Sequence, residues 1–463
     1  MEFTYKEIIV AAMILAGLPA VLLGTKGLRW GFMVWVLTFA LGYRTFAVAP
    51  TLSIHPAELT LFGLSMWLLI LYLSGRNKNI QVSFWFPPLL WLFVLAWFWG
   101  WSSVISGDVK WGPMLSEGKG FLPVIPLFIV AGTVLADRSA WRPVLLASYG
   151  VGAWVGAMGL LEYVYPEVKT LLPNFMSNPT VYKSGEGFQH AAFSFWGSPD
   201  AVYLCVLALP ISILAWRWWN VSWKRAFIIL ISSVLLGAVY VSGHRNAWII
   251  TALQFGLFAL LRKKYLVAAV ILLLFISTYQ LLPNTARLRI YSSAELIAGR
   301  PLDYDSSGQK RWDRVLTSVN HILEEPLGRG WAAAGWVHND FLQVAENLGV
   351  VVGLLFLGAY LFQLQRLWYW VSILHQSEEQ RTLGTVLLLC FTAAGIILAT
   401  EATLQLPQLL LPISFVWVIA GIWLRQNRMA GTERAAADEK AFDLSAFADL
   451  QLCGDRARYS RSS

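Results

Sequence analysis

Apolar runs long enough to cross, or nearly cross, a bilayer recur from residue 8 to residue 424. Inside lipid every backbone N–H and C=O must find its partner within the protein, so such runs fold as helices. They lie near 8–24, 28–49, 56–74, 84–105, 121–136, 141–164, 201–217, 226–242, 246–262, 265–282, 347–366, 383–401 and 407–424. Several fall short of the ~20 residues a spanning helix normally needs, which leaves their boundaries soft. Charge content agrees: 13% of residues are charged, where a soluble domain carries about 25%. The pattern predicts an all-α polytopic membrane protein with about 12–13 transmembrane helices. Thirteen spans put the N-terminus outside and twelve put it inside. The first run is followed by more membrane, so it reads as retained rather than as a cleaved signal.

Basic loops orient the chain. Gly75-Arg76-Asn77-Lys78, Trp223-Lys224-Arg225 and Arg262-Lys263-Lys264 read as cytoplasmic by the positive-inside rule. Strict alternation then puts 106–120, 165–200, Gly243-His244-Arg245 and 283–346 outside. Residues 1–424 form one transmembrane domain that includes the 283–346 loop. The charged, Ala-rich segment 425–463 is a cytoplasmic tail, a weak helix or disordered. The net charge of +8 belongs to cytoplasmic loops and implies membrane lipid, not nucleic acid, as its partner. Tryptophans cluster at run ends, as in Trp216-Arg217-Trp218-Trp219, where interfacial belts form. Cys205, Cys390 and Cys453 have no metal or redox spacing; the first two lie in apolar runs and read as packing residues.

The 283–346 segment is too long for a simple connector. Within it Trp312, Val315, Leu316, Val319, Ile322 and Leu323 recur on one helical face. Asp305, Ser306 and Ser307 supply start signals, and Pro326-Leu327-Gly328-Arg329-Gly330 ends the helix. An amphipathic helix here either lies on the membrane plane or roofs a cavity.

Just before the span from 347 stands Trp336-Val337-His338-Asn339-Asp340-Phe341-Leu342-Gln343-Val344-Ala345-Glu346-Asn347-Leu348-Gly349. Polar groups are scarce in a chain like this because burying them costs free energy. An unperturbed histidine titrates near 6.5, so at neutral pH His338 can accept a proton. Asn339 or Asp340 is a good N-cap, and a helix N-terminus favours phosphate. A lone histidine would more often only anchor a helix; Asn339, Asp340, Gln343 and Glu346 beside it favour a functional role, orienting the imidazole or binding an acceptor.

Arg245 stands between two apolar runs and offers the planar fork that suits phosphate, although an arginine there also snorkels to head groups. Arg311 directly precedes the amphipathic face; several basic residues in the same loop would converge on a diphosphate or form a solvated face attracted to anionic lipid. Lys119 and Asp200, at outer span ends, either line a sugar site or cap helices. Glu401 and Gln405 at another span end are equally ambiguous. The sequence holds no Walker A loop, HExxH helix, paired CxxC or Asp-rich signature, which argues against an ATP-driven or zinc-dependent mechanism and for no metal and no cofactor.

Together these segments resemble the O-antigen ligase family and the related O-antigen polymerases. The family's histidine is followed by Asn, Ser or Gln, then nine residues, then Gly; here His338-Asn339 leads to Gly349. Where the family has a small residue or Tyr three positions on, this chain has Val352, with Gly353 one later. Arg245 to Ile249 matches an Arg-x-x-x-Leu setting, and the run through Arg311 and Gly330 is similar to the family's outer loop. The resemblance covers roughly residues 200–350. It implies a GT-C-like membrane glycosyltransferase of the bacterial inner membrane, with its site facing the periplasm. The donor would be a glycan on undecaprenyl diphosphate and the acceptor a hydroxyl of lipid A–core. His338 would be catalytic, Arg245 and Arg311 would bind the diphosphate, and the reaction would be a metal-independent inversion. Polymerization of lipid-linked repeats and protein O-glycosylation use the same donor. A lipid-linked glycan transporter would favour charges and helix breaks at mid-membrane depth, and a structural subunit needs no site at all.

Overall fold

The computed structural model describes residues 25–41, 46–49, 52–75, 94–95, 98–99, 101–102, 104–107, 123–168, 193, 201–266, 269–270, 273, 287, 291, 306–331, 337–372, 377–401, 403 and 409–427. The protein is a helical polytopic membrane protein. Among the described residues six helices are long and apolar enough to cross a bilayer: Pro56–Leu73 (α2), Arg138–Val164, Ser222–Val241 (α7), Val350–Ser372 (α11), Glu378–Thr400 (α12) and Leu409–Asn427 (α13). The second contains α4, Trp141–Val164. Shorter helices are Thr25–Thr38 (α1), Val124–Leu135 (α3), Val202–Ala208 (α5), Ile211–Trp218 (α6), Arg245–Leu261 (α8), Ser306–Glu324 (α9) and Asp340–Leu348 (α10). The expected run 8–24, most of 84–105 and of 265–282, and the tail beyond Asn427 lie outside the described residues.

Two expected spans are divided. The run 28–49 ends as helix at Thr38, and Phe46–Ala49 pairs antiparallel with Leu52–Ile54. Gly42 lies within that run and Pro50 directly follows it, and these are the poorest helix formers. The run 201–217 breaks at Pro210, which cannot donate to the helix ladder. There Ser212 and Ile213 bond three residues back, to Leu209 and Pro210.

Burial separates centre from periphery. About four-fifths of the apolar window of α12 and of α13 (78%) is buried, against 28% for α7 and α11. On those two, Ile229, Leu230, Leu354, Leu355 and Phe362 are exposed, the pattern of a lipid-facing stripe. At the centre, Tyr360 stacks on Phe391 at 4.8 Å and Phe356 on Trp417 at 6.0 Å. Phe341 leans on Phe356 and Tyr360, which anchors α10 to the bundle. Small residues allow these approaches: Gly395 lies against the Tyr360 ring and Gly384 against Trp423. Cys205 and Cys390 are buried free thiols within this packing, as expected.

Helix α12 carries polar clusters at both ends. At its N-terminal end Arg217 and Arg262 meet Glu378 at 3.3 and 2.6 Å. At its C-terminal end is Glu401. Twenty-three residues span about 35 Å at 1.5 Å each, enough to separate the two clusters by a bilayer's ~30 Å hydrocarbon core.

Candidate functional site around Glu401 and His338

The amphipathic helix predicted within 283–346 is α9, and its predicted ending at Pro326–Gly330 holds. That ending does a second job. The Arg329 and Gly330 amides donate to the Glu346 and Asn347 carbonyls at 3.0 and 2.9 Å, and the Val350 amide donates to Pro326 at 2.9 Å. The loop is thereby clipped onto the junction of α10 and α11. The helix begun at Asp340 does not continue into the following span: Gly349, at φ 95° and ψ 156°, separates α10 from α11.

Asn339 is the N-cap of α10: its side chain accepts from the Leu342 amide at 3.0 Å. The cap fixes the backbone just ahead of the helix. There His338 adopts φ 49°, a left-handed conformation uncommon for a non-glycine residue. Such strain, of order ~1–3 kcal/mol, persists where the surroundings over-determine it, and it gathers at functional sites.

The His338 Nδ1 lies 3.7 Å from Glu401 Oε2. Glu401 caps the C-terminus of α12 and is 3% exposed. Its Oε1 accepts from the Tyr203 hydroxyl at 2.8 Å and from the Asn246 amide at 3.1 Å. One Arg311 nitrogen reaches both carboxylate oxygens at 3.4 and 3.5 Å. Residues from α5, α8, α9, the loop before α10 and the end of α12 thus converge on one carboxylate. Burial pushes this carboxyl up, but His338, Arg311, His244 and Tyr203 outweigh it and hold the group below the usual carboxylate range. The His244 ring stands edge-on to Tyr203 at 5.9 Å.

Asp340 is fully buried and accepts from both the amide and the hydroxyl of Thr403. It therefore pins the segment after Glu401 to the helix that directly follows His338. Glu346, also buried, binds His321 Nδ1 at 2.6 Å and stands 3.6 Å from Arg314, while Arg329 reaches the same imidazole at 3.1 Å. Gln343 is fully buried on the same helix, with neither amide atom hydrogen-bonded. Arg245 is the first residue of α8, next to Asn246.

Of the residues expected from the sequence, His338 and Arg311 come together at Glu401, and the backbone of Arg245 is adjacent. Glu346 belongs to a second cluster with His321. Lys119 and Asp200 lie outside the described residues. The sequence reading left Glu401 ambiguous and missed Tyr203, Asn246 and His321. Asn246 sits in the Gly243-His244-Arg245-Asn246 break, a usable signal; a tyrosine within an apolar run carries none. Among the described residues no group of three His, Cys, Asp or Glu is arranged to hold a metal ion.

No protein-family model matches this chain, and no curated protein matches it significantly. What the site can do follows from its groups. An ionised, water-shielded carboxylate beside an imidazole can orient a base. A guanidinium and two helix N-termini can receive a polyanion.

Proposed function

We propose that this protein is a membrane glycosyltransferase of the O-antigen ligase type, acting at the periplasmic face of a bacterial inner membrane. It moves a glycan from undecaprenyl diphosphate to a sugar hydroxyl of lipid A–core. The observation that carries the reading is the convergence of His338 and Arg311 on buried Glu401, beside the start of α8 with Arg245. Orientation follows from charge. Arg217, Lys224, Arg225, Arg262, Lys263 and Lys264 belong to the end of the bundle opposite Glu401, and such residues favour the cytoplasm.

In this mechanism the acceptor oxygen attacks the anomeric carbon as His338 takes the hydroxyl proton. The anomeric carbon–oxygen bond breaks, and its electron pair leaves with the diphosphate. A positioned base contributes about 10²–10⁴-fold. Arg245 and Arg311 stabilise charge growing on the leaving group, where a fixed donor is worth about 2.7–4 kcal/mol. The energy resides in the glycosyl diphosphate bond, so neither nucleotide nor metal enters.

The test uses purified protein, undecaprenyl-diphosphate glycan and lipid A–core, with EDTA and without nucleotide. A mobility shift of the core lipid with wild type, absent with His338→Ala, supports the reading. Growth of the lipid-linked glycan without a core shift would make the protein a polymerase. Transfer to protein would make it an O-oligosaccharyltransferase, and no product at all would return attention to transport.

A further inference from the structure

We propose that Glu401 is the positioning residue of this site: its carboxylate accepts a hydrogen bond from Nδ1–H of His338 and so leaves the Nε2 lone pair free to accept the acceptor's hydroxyl proton. The inference rests on the glycan-transfer reading and deepens it.

Three observations carry it. First, His338 Nδ1 is buried without a hydrogen-bond partner, a state that polar atoms in folded proteins rarely keep. The nearby carboxylate oxygen at 3.7 Å is within a small ring rotation of the 2.7–3.2 Å range of a full hydrogen bond. Catalytic hydrogen bonds are often this long before substrate binds. Second, the two oxygens of Glu401 have divided roles. Oε1 accepts from Tyr203 and Asn246, while Oε2 faces His338 and has the longer Arg311 contact at 3.5 Å. Third, Glu401 is ionised, because the cations and donors around it outweigh its burial. An ionised carboxylate only accepts, so the nitrogen facing it must carry the proton. The other acidic residues near His338 in sequence are engaged elsewhere, Asp340 with Thr403 and Glu346 with His321.

During transfer the hydroxyl proton moves to Nε2, and the imidazolium so formed is stabilised by Glu401. The carboxylate itself stays unprotonated, as in the serine-protease triad. The same carboxylate holds Arg311, so the base and the diphosphate clamp share one fixed point.

The experiment compares wild type, Glu401→Gln and His338→Ala. It measures turnover together with imidazole ¹⁵N NMR of histidine-labelled protein, the His338 signals being those absent from His338→Ala. We expect the Nδ1–H tautomer in wild type, a shift toward Nε2–H in Glu401→Gln, and turnover lowered about 10²–10⁴-fold in that variant. Wild-type turnover in Glu401→Gln, with His338→Ala inactive, overturns the positioning role and leaves the transfer reading intact. Lost turnover with an unchanged tautomer also overturns it, since Glu401 would then be only structural. Transfer by His338→Ala instead sinks the transfer reading. Should Glu401→Gln not fold, Glu401→Asp keeps the charge and must keep the Nδ1–H tautomer; its loss there overturns the proposal.

Discussion

Gly328 and Gly349 meet backbone to backbone. A Cβ on Gly328 would stand 2.4 Å from the amide nitrogen of Gly349, and a Cβ on Gly349 would stand 2.8 Å from the carbonyl oxygen of Leu327. The contact locks the end of α9, which carries Arg311, to the end of α10, which follows His338.

Gly349→Ala should therefore lower Tm and transfer together. Its φ of 95° and ψ of 156° belong to a region that is essentially glycine-only, with a penalty of about 1–3 kcal/mol before any clash. Gly358, whose added Cβ would meet nothing within 4 Å, is the control: Gly358→Ala should be neutral or stabilising by up to ~1 kcal/mol. Equal Tm values for the two variants would refute the backbone contact.

Arg311→Lys should lower transfer about 10²–10³-fold while the protein still folds. One Arg311 nitrogen already serves both oxygens of Glu401; a lysine keeps the charge but not the planar set of further donors that would hold a phosphate at the same time. Turnover near wild type would mean that point charge alone suffices.

The second cluster makes a separate claim about stability. Glu346 is fully buried between His321 and Arg314. Glu346→Ala removes the counter-charge and should destabilise by roughly 3–5 kcal/mol. Glu346→Gln keeps the shape and a hydrogen-bond acceptor, so it should lose less. Thermal unfolding in detergent would rank the two; the reverse order is the result that contradicts this.

Glu401 sets a pH dependence. Burial pushes its carboxyl up, yet His338, Arg311, His244 and Tyr203 hold it below its ordinary 4.5. The unfolded chain then binds that proton more readily than the folded protein does. The stabilisation is complete above pH 4.5 and is lost as pH falls through the depressed value. Tm measured on both sides of that pH should show the acid limb in wild type and a shallower one in Glu401→Gln; identical limbs would rule out this contribution.

Much of this architecture was legible in the sequence because its signals are local. Hydropathy finds α2, α4, α7, α8, α11, α12 and α13, since lipid leaves a long apolar run no alternative to a helix. The amphipathic stripe from Trp312 to Leu323 and the cap at Asn339 similarly depend only on neighbours a turn or less away. Where a local break competes with hydropathy, as at Pro210 and Gly349, the break decides.

Sequence alone determined that this chain crosses a membrane as helices, and it singled out His338, Arg245 and Arg311 as chemically suggestive residues. It could not say which carboxylate His338 faces. Asp340 and Glu346 are the nearer choices along the chain, but they turn to Thr403 and His321. Glu401, 63 residues farther on, takes the place because Asp340 ties its segment to α10 while Tyr203 and Asn246 fix its other oxygen. A buried charge is stable only where several partners meet it at once, and which segments meet is a property of the packed bundle.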